Sequence, residues 1–405
     1  MTAPSPSPSP LPSLARYGAL TCAYFATVGL FNPYAPLWFQ SLGFSTLVIG
    51  SIASLQSWTR VVAPYAWSWG GDHSGRRVEL IRLAATGALL SALGLLAVPY
   101  LGLPGASELI ASVALMTALL FIANSGVVPL YEAVVAHALR TPDGGIDASR
   151  YGRVRVWGSI GFILAVSSFG WLLEGLGIGI FPAFVAVMNG LLLIAAFRLP
   201  ATKEEAVHDE PAPPVLPLLR RPEVAWFFAS VFFTVLAHTS LYAFFSLYLV
   251  SLGYGKGAVG ALWAVSVAVE IVFFWTQGRW FHRFTPHGWL KIVAAVTALR
   301  FVATAAGGAF APVLVLAPMS HAVTFAAHHA ACIALLNRLF AGRLRGRGQA
   351  LYTTLGYGLS GVLGGVGGGW LISHLGFAAV FWAAALCALA GLISAALSAR
   401  AAAAV

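Results

Sequence analysis

The sequence contains little charge. Only 9% of its 405 residues are Asp, Glu, Lys or Arg, whereas 59% are hydrophobic, and the mean hydropathy is +0.84. A soluble domain carries about 25% charged residues, so this composition excludes an ordinary water-soluble protein. The hydrophobic residues form long blocks, and a membrane-spanning helix needs about 20 consecutive apolar residues. We therefore expect the lipid bilayer to surround much of the folded chain.

Cysteine is also scarce, and the three cysteines follow no disulfide or metal-binding spacing. Cys22, Cys332 and Cys387 each lie inside a hydrophobic block, where cysteine packs as a small apolar residue. His328 and His329 are adjacent and so point to different faces of a helix, which argues against a metal site. We find no catalytic nucleophile and no cofactor-binding loop of recognisable spacing, so the sequence indicates neither an enzyme nor a cofactor.

Twelve hydrophobic blocks follow one another along the chain. They centre near Tyr24, Leu55, Leu90, Leu119, Phe162, Phe184, Val235, Val265, Val302, Val323, Leu363 and Leu386. Inside a bilayer the backbone can satisfy its hydrogen bonds only in helices or in a closed barrel. Runs of this length without strand alternation favour helices. The sequence therefore predicts an all-α polytopic membrane protein with 12 transmembrane helices.

The basic residues indicate the orientation of these helices. If both termini are cytoplasmic, most loop arginines and lysines lie on the cytoplasmic side, as the positive-inside rule requires. These residues are Arg76, Arg77, Arg140, Arg150, Lys203, Arg220, Arg221, Arg283, Arg343, Arg345 and Arg347. The net charge of +10 thus reflects topology rather than nucleic-acid binding. The start, MTAPSPSPSPLP, has no secretory-signal pattern. We expect a monomer in a bacterial inner membrane with both termini cytoplasmic.

A polar stretch divides the chain into two halves. Residues 200–222 are rich in Pro and charge and read as a cytoplasmic linker. The linker separates a six-helix bundle at 14–199 from a second at 223–400. Cytoplasmic tails are predicted at both ends, a disordered one at 1–13 and a short one at 401–405.

The two halves contain related segments. Ser41-Leu42-Gly43-Phe44 and Gly50 recur as Ser251-Leu252-Gly253-Tyr254 and Gly260, at a constant shift of 210 positions (251 minus 41). Gly170-Trp171-Leu172 returns as Gly369-Trp370-Leu371, at a shift of 199. Internal repeats of this kind are typical of secondary transporters, whose substrate site lies between the repeats near the membrane midplane.

One loop resembles a known family signature. The segment 68–77, SWGGDHSGRR, resembles the Gly-x-x-x-Asp-x-x-Gly-Arg-Arg loop of the major facilitator superfamily, with Ser68 in place of the first glycine. With the twelve helices, the linker and the half repeat, the resemblance covers essentially the whole chain. The segments 129–133, 151–162 and 238–242 are similar to the phenylpropionate permease family and its relative, lactose permease, which are proton symporters.

The resemblance implies roles for five buried residues. In lactose permease the residues matching Glu132 and Arg155 bind sugar, and those matching Glu270, Arg300 and His321 serve sugar binding and proton coupling. One position departs from this pattern. Three residues after His321, where that permease has its main proton-carrying glutamate, this sequence has Thr324, so the resemblance leaves open whether proton coupling is lost or relocated.

Glu132 and Arg155 form the first candidate pair on physical grounds. Ionisable groups inside a bilayer cost about 2.5 to 3.5 kcal/mol each, so each is a candidate functional residue. The two residues lie at similar depth on neighbouring antiparallel helices and are expected to form an ion pair. Arg155 then offers a bidentate fork to a substrate carboxylate. The alternative is a purely structural pair that joins the two helices.

Glu270 and Arg60 form the second candidate pair. They are equivalent under the shift of 210, so both are expected to face the central axis. A carboxylate in a low-dielectric cavity can bind and release protons near neutral pH, and a nearby arginine changes that affinity. The alternative is a permanent bridge from Glu270 to Arg60 or Arg300. His321 and His238 suit a proton relay or serve only as hydrogen-bonding groups between helices.

Further candidates lie beside these charges. Aromatic and amide residues that suit a cavity wall are Tyr24, Asn32, Tyr34, Trp38, Gln56, Trp58, Asn124, Tyr131, Tyr242 and Trp263. We select Trp58, Tyr131 and Tyr242 for substrate binding because each lies within a turn of a buried charge. Asp72, Arg76 and Arg77 are predicted to form a gate latch.

These patterns together predict a secondary active transporter. The favoured hypothesis is proton-coupled uptake of a small organic solute, an aromatic monocarboxylate first, by alternating access with the proton gradient as energy source. A sugar or nucleoside proton symporter and a multidrug exporter are alternatives within transport. A membrane sensor or receptor without flux is the alternative outside it.

Overall fold

Twelve long helices account for most of the chain. The structure is a computed structural model that describes residues 14–141, 145–200 and 214–404. In chain order the helices are α1 Leu14–Ser41, α2 Thr46–Ser74, α3 Arg77–Ala97, α4 Ala106–Ala138, α5 Ala148–Leu176, α6 Phe181–Phe197, α7 Pro222–Ser251, α8 Lys256–Thr276, α9 Pro286–Gly307, α10 Ala311–Leu339, α11 Arg345–Leu375 and α12 Phe377–Ala403. The prediction of an all-α polytopic protein with two six-helix halves is confirmed.

Eleven of the described helices are long and apolar enough to span a membrane. The twelfth, α2, has 29 residues but contains Gln56, Arg60 and several Ser and Gly residues, which lower its hydropathy. Its position inside the bundle, against α4 and α11, shields these polar groups from lipid. The predicted tail 1–13 and residues 201–213 of the linker lie outside the described residues. The last helix continues to Ala403, beyond the predicted boundary at 400, because alanine is the strongest helix former.

The repeated segments have the same backbone structure. The α1–α2 connection turns at Gly43 with φ of 81°, and the α7–α8 connection turns at Gly253 with φ of 88°. Glycine adopts this left-handed conformation without steric cost. The Phe44 amide donates to the Phe39 carbonyl at 3.2 Å, and the equivalent Tyr254 amide donates to Leu249 at 3.0 Å. The two halves therefore begin with the same helical hairpin.

The hydrophobic core is shared at one end of the bundle and divided at the other. We call the end where α6 ends and α7 begins the linker end, and the opposite end the distal end. One buried cluster contains residues of both halves, such as Ile49 and Phe244, and lies at the distal end. Two further clusters each belong to one half, around Val134 in the first and Phe227 in the second. The halves therefore separate toward the linker end.

Small residues bring the halves together at the distal end. Gly50 of α2 lies directly against the backbone of Gly365 in α11, and the Thr46 hydroxyl donates to the Gly369 carbonyl at 3.1 Å. The Ser54 hydroxyl donates to the carbonyl of Val362 at 3.2 Å. The lack of side chains on the α11 glycines permits this close approach between helix backbones.

A second pair of helices closes the same end. Gly260 of α8 lies against the Val166 carbonyl of α5, and Gly170 of α5 approaches the carbonyl of Lys256. Gly50 and Gly260 are equivalent under the shift of 210, so each half offers one glycine to the other half. The contacts α2–α11 and α5–α8 together close the space between the halves on the distal side.

Candidate functional site

A cavity of about 410 Å³ lies between the two halves. It is closed at the distal end and widens toward the linker end, where the halves have separate cores. Its volume falls in the range of about 300 to 1,000 Å³ that small-molecule sites occupy. Charged or protonatable lining residues are Arg60, Arg155, Glu270 and His321, and the aromatic lining residues are Phe25, Phe31, Phe39, Phe121, Phe162, Tyr242, Trp263, Phe325 and Tyr357. The wall is thus rich in aromatic residues and carries a few charged groups.

The predicted ion pair between α4 and α5 is present. The Arg155 Nη1 atom donates to Glu132 Oε1 at 3.0 Å, and the Tyr151 hydroxyl donates to Glu132 Oε2 at 2.6 Å. The side chains of Arg155 and Glu132 are 43% and 30% exposed, and Arg155 also lies over the Phe25 ring at 5.6 Å. Arg155 lines the cavity, whereas Glu132 stays behind it. One guanidinium nitrogen of Arg155 donates to Glu132, which leaves further N–H donors on this cavity-lining side chain.

Arg60 and Glu270 both line the cavity, from the equivalent helices α2 and α8. The alternative bridges from Glu270 to Arg60 or to Arg300 are absent among the described residues. Glu270 Oε2 instead lies 3.9 Å from His321 Nε2. The guanidinium of Arg60 makes no hydrogen bond or ion pair with a described residue. Arg60 is therefore a cation without a partner at the wall of the cavity.

Arg300 is held in a buried polar cluster behind the cavity. It is 4% exposed, and its Nη1 atom donates to Thr324 Oγ1 at 2.9 Å and to His321 Nδ1 at 3.3 Å. A guanidinium only donates, so the Nδ1 atom of His321 must accept and the imidazole must be the neutral tautomer with its proton on Nε2. That Nε2 proton is directed at Glu270. Thr324 thus supplies a neutral acceptor where the related permease has a glutamate.

His238 and Tyr242 occupy different layers of the wall. Tyr242 lines the cavity and stacks on Trp263 with ring centroids 6.3 Å apart. His238 is buried behind it, with Nδ1 2.8 Å from the Thr234 carbonyl and its ring 6.2 Å from Tyr242. His238 does not line the cavity, so the prediction that it contacts substrate is corrected. The residue lies behind Tyr242.

Two selected aromatic residues also lie outside the cavity lining. Trp58 is 61% exposed on the outer face of α2, and Tyr131 is buried with its hydroxyl donating to the Tyr17 carbonyl at 2.8 Å. Successive helical residues differ by about 100° in direction. Trp58, two residues before Arg60, and Tyr131, adjacent to Glu132, therefore point away from the face that carries the charge.

The predicted gate residues pair within the first half. The Arg77 Nη2 atom donates to Asp72 Oδ1 at 2.7 Å, and Arg76 Nη1 lies 3.5 Å from Glu79 Oε2. The first pair connects the end of α2 to the start of α3, and the second connects the residue before α3 to its first turn. The two members of each pair belong to the first half.

Some cavity residues were not selected from the sequence. Asn32, Gln56, Thr117, Ser159 and Ser266 line the cavity, and Asn32 and Gln56 were only among the wider set of candidates. Residues 322–327 in α10 and 352–359 in α11 form wide π-type turns, which are often found at functional sites. These turns bring Phe325 and Tyr357 into the wall. No periodic pattern in the sequence predicts a π turn, so Phe325 and Tyr357 were not predicted as cavity residues.

Comparisons with known proteins agree with this geometry. A family model described as "MFS_1 like family" matches residues 15–383. A probable 3-phenylpropionic acid transporter of Escherichia coli (strain K12) is 27% identical over 375 residues, which covers 90% of this chain and 93% of that protein. The maltose permease of Geobacillus stearothermophilus is 27% identical over 378 residues, covering 91% and 90%. The resemblance to the major facilitator superfamily and to phenylpropionate permeases is confirmed.

Solved structures share the fold. A mutant of the nucleoside transporter NupG superposes with a TM-score of 0.77 at 15% sequence identity, covering 96% of this chain and 99% of that chain. A D-xylose-proton symporter superposes with a TM-score of 0.68 at 14% identity, covering 95% of each chain. At this low identity the likeness concerns the arrangement of helices alone.

Proposed function

Because the chain belongs to the MFS_1-like family of membrane transporters, and is therefore a multi-pass transporter rather than an enzyme, we propose that it imports an aromatic monocarboxylate together with protons. No cofactor is required, since the proton gradient supplies the energy. The proposed location is the bacterial inner membrane, as a monomer with both termini cytoplasmic. The linker end then faces the cytoplasm, and the conformation described above is the inward-open state of an alternating-access cycle.

The observation that carries this proposal is the unpartnered guanidinium of Arg60 in the cavity wall. Three arginines, Arg60, Arg155 and Arg300, lie in or beside the cavity, and among the described residues the acids that oppose them there are Glu132 and Glu270. Three positive and two negative charges leave one net positive charge when the histidines are neutral. A monocarboxylate balances this charge, and arginine binds carboxylates through two parallel hydrogen bonds.

The apolar part of the wall supports an aromatic substrate. Phe25, Phe31, Phe121 and Phe162 come from the first half, and Trp263 and Phe325 from the second. Aromatic rings pack favourably against one another in edge-to-face or offset arrangements. An aryl group bound between the halves buries its surface against both of them. Binding of such a substrate therefore favours movement of the two halves toward each other. The E. coli relative that is named as a probable 3-phenylpropionic acid transporter is consistent with this substrate class.

Proton coupling is proposed to reside at Glu270. This carboxylate is 22% exposed at the side chain and lines the cavity beside the neutral His321. Arg155 lines the same cavity from the opposite half. A change in the distance between the halves therefore changes the electrostatic environment of Glu270, which is the requirement for releasing a proton in one state and binding it in the other. The Thr324 hydroxyl does not ionise near neutral pH, so the proposal places the coupling at Glu270 instead.

Uptake into proteoliposomes tests the proposal. We expect accumulation of labelled 3-phenylpropionate to rise with an inward proton gradient and to collapse on addition of an uncoupler. Empty liposomes and liposomes containing the Arg60→Ala variant are the controls. Accumulation that is independent of the gradient would contradict proton coupling, and efflux without uptake would favour the multidrug exporter. Binding without any flux would favour a sensor.

A sugar or nucleoside is the second candidate substrate. The amides of Asn32 and Gln56 line the cavity, and such groups hydrogen-bond hydroxyl-rich ligands. The similarity to a maltose permease also supports this candidate. A thermal-shift screen with 3-phenylpropionate, maltose and nucleosides separates the two, because only a ligand that prefers the folded state raises the melting temperature.

A further inference from the structure

A small polar pocket opens off the main cavity inside the first half. It has a volume of about 40 Å³ and lies between α1, α2, α4 and α6. We call it the side pocket. Its polar lining residues are Tyr24, Thr27, Asn32, Gln56, Asn124 and Asn189. Phe31, Asn32, Gln56 and Phe121 line the main cavity as well, so a ligand in the main cavity has direct access to the side pocket.

Two buried carbonyl oxygens in the side pocket have no hydrogen-bond donor. Asn189 is 1% exposed, and its Nδ2 atom donates to the Val185 carbonyl at 2.8 Å. This bond fixes the orientation of the amide, because the flipped amide would bring two acceptors together. The Oδ1 atoms of Asn189 and Asn124 are both buried without a partner among the described residues. Unpaired buried acceptors are unfavourable, so this pair points to a missing donor.

The size and charge of the side pocket limit the donor. A cavity that holds one water molecule needs about 10 to 15 Å³ by the same measure, so the pocket has room for a small group such as a hydroxyl. No Asp or Glu is among the described residues that line it, which disfavours a metal cation. The remaining occupant is an uncharged group with an O–H or N–H bond.

We propose that the side pocket is a specificity subsite for a hydrogen-bond donor on the aromatic ring of the substrate. This inference rests on the proposed function. Gln56 lies at the boundary of the two spaces, one turn of α2 before Arg60, or about 6 Å along the helix. A substrate whose carboxylate is held by Arg60 therefore extends its ring past Gln56 toward Asn124 and Asn189. Ring-hydroxylated aryl acids are the preferred substrates.

Binding of three related acids tests the subsite. The probes are 3-phenylpropionate, its ring-hydroxylated derivatives at the 3- and 4-positions, and the matching methoxy derivatives, which have no donor. We expect one hydroxylated acid to bind roughly tenfold more tightly than 3-phenylpropionate, the effect of one buried hydrogen bond, and the methoxy acids to gain nothing. In Asn189→Leu the gain is lost while the affinity for 3-phenylpropionate is kept. Asn337→Leu, on an exposed part of α10, is the control and retains the gain.

The outcomes separate the two proposals. Equal affinities for all acids, or a hydroxyl gain that survives in Asn189→Leu, would mean that the side pocket holds an ordered water only, and would overturn the subsite while leaving the proposed function intact. No binding by any aryl acid, together with binding by a sugar or nucleoside, would overturn the proposed function and the subsite together.

A second observation concerns the first turn of α8. In α2 the Ser45 hydroxyl accepts a hydrogen bond from the Val48 amide at 3.3 Å and caps the helix within its own half. The residue equivalent to Ser45 under the shift of 210 is Gly255, which has no side chain to act as a cap. The two equivalent helices therefore start differently.

Glu174 of α5 supplies the missing cap from the other half. Its Oε2 atom accepts a hydrogen bond from the Gly257 amide at 3.2 Å. A Cβ atom on Gly255 would lie 2.8 Å from the Glu174 Cδ atom, so the carboxylate occupies the space of the absent side chain. Carboxylates at helix N-termini are stabilised by the free amides and by the helix dipole. A local cap is thus replaced by a contact between the halves.

From this contact we infer that Glu174 is a positioning residue that holds the distal end closed. Opening the distal end separates α5 from α8 and leaves the first amides of α8 without their acceptor. The bond exists only in the distal-closed state, so it shifts the equilibrium toward that state. Loss of the carboxylate should increase the population of the distal-open state.

Cysteine accessibility tests this role without a substrate. The background is a variant in which Cys22, Cys332 and Cys387 are replaced by serine. The reporter is Ser54→Cys, which is buried in the α2–α11 contact and not in the α5–α8 contact that is changed. We expect Glu174→Ala to raise the labelling rate by a membrane-impermeant maleimide roughly fivefold, which corresponds to a modest population shift. Glu108→Ala is the matched control, because Glu108 lies at the distal end and its carboxylate accepts a hydrogen bond from Ser107 of its own half.

A variant that caps α8 within its own half distinguishes a role of Glu174 in closing the distal end from a role in stabilising α8. Gly255 has an extended backbone, with φ of −72° and ψ of 167°, which serine adopts readily. In the double variant Glu174→Ala with Gly255→Ser, the new hydroxyl restores a cap to α8 but no link between the halves. We expect labelling to stay high. A return to the original rate would show that Glu174 acts only on the stability of α8 and would overturn the inference, as would an unchanged rate in Glu174→Ala.

Discussion

The two halves share one backbone plan and differ in how they hold their charges. In the first half Arg60 and Arg155 are accessible from the cavity, and one of them has no partner. In the second half Arg300 is buried against His321 and Thr324, and Glu270 lines the cavity beside His321. We therefore propose a division of labour in which the first half binds the anion and the second half exchanges the proton, although both halves have the same fold.

The largest expected effect is on energy coupling, from Glu270→Gln. The amide keeps the size of the side chain but has no proton to exchange. We expect gradient-driven accumulation of 3-phenylpropionate to fall roughly 100-fold, the lower end of the range for loss of one acid or base, while exchange between equal concentrations continues. Glu132→Gln is the matched variant in the first half, and it should weaken binding without abolishing accumulation. Loss of accumulation in Glu132→Gln alone would reverse the division of labour.

The next effect concerns the two parallel hydrogen bonds that the guanidinium of Arg155 can donate to a carboxylate. Lysine keeps the charge and its attraction to Glu132, but a point charge cannot form two parallel hydrogen bonds to a carboxylate. We expect Arg155→Lys to weaken binding of 3-phenylpropionate by roughly tenfold, equivalent to about 1.4 kcal/mol. Binding is measured by calorimetry on detergent-solubilised protein. An unchanged dissociation constant would restrict Arg155 to the structural pairing of α4 with α5.

A smaller effect is expected from Thr324→Val. The change removes the acceptor of Arg300 Nη1 and leaves a buried charged donor with one partner fewer. A hydrogen bond to a charged group contributes about 1.5 to 3 kcal/mol, so the melting temperature should fall by a few degrees. Affinity for 3-phenylpropionate should stay within about twofold, because Arg300 does not line the cavity. A large loss of affinity with unchanged stability would instead make Arg300 part of the substrate site.

The smallest effect tests the duplication itself. Gly43 and Gly253 have φ of 81° and 88° with open space around the Cβ position. Alanine at either site should destabilise the protein by about 1 kcal/mol, the cost of a left-handed conformation for a residue with a Cβ atom. Equal decreases in the melting temperature of Gly43→Ala and Gly253→Ala are expected. A clear inequality would show that the two hairpins do not contribute alike.

The sequence was sufficient for the fold and for part of the site. Long hydrophobic blocks predict membrane helices directly, and the shift of 210 aligned Arg60 with Glu270, which both line the cavity. The ion pair of Glu132 with Arg155 followed from their equal depth. These features depend on composition and spacing, which are explicit in a sequence.

Other features depend on the direction of side chains and on contacts between distant helices. Trp58 and Tyr131 were selected because they are near a charge in sequence, yet a helix turns them away from it. The neutral tautomer of His321 depends on its contact with Arg300, 21 residues away. Phe325 and Tyr357 reach the wall through π turns. The cap that Glu174 gives to α8 spans 83 residues and has no local signal.

Paired binding measurements with one charged and one uncharged ligand test the central claim most directly. The ligands are 3-phenylpropionate and 3-phenylpropanol, which share the ring and differ in the carboxylate, and the proteins are the wild type and Arg60→Ala. We predict that the wild type binds the acid at least tenfold more tightly than the alcohol, since hydrogen bonds to a charged group contribute about 1.5 to 3 kcal/mol. In Arg60→Ala the two ligands should bind almost equally. Equal affinities in the wild type, or a preference for the acid that persists in Arg60→Ala, would contradict the account.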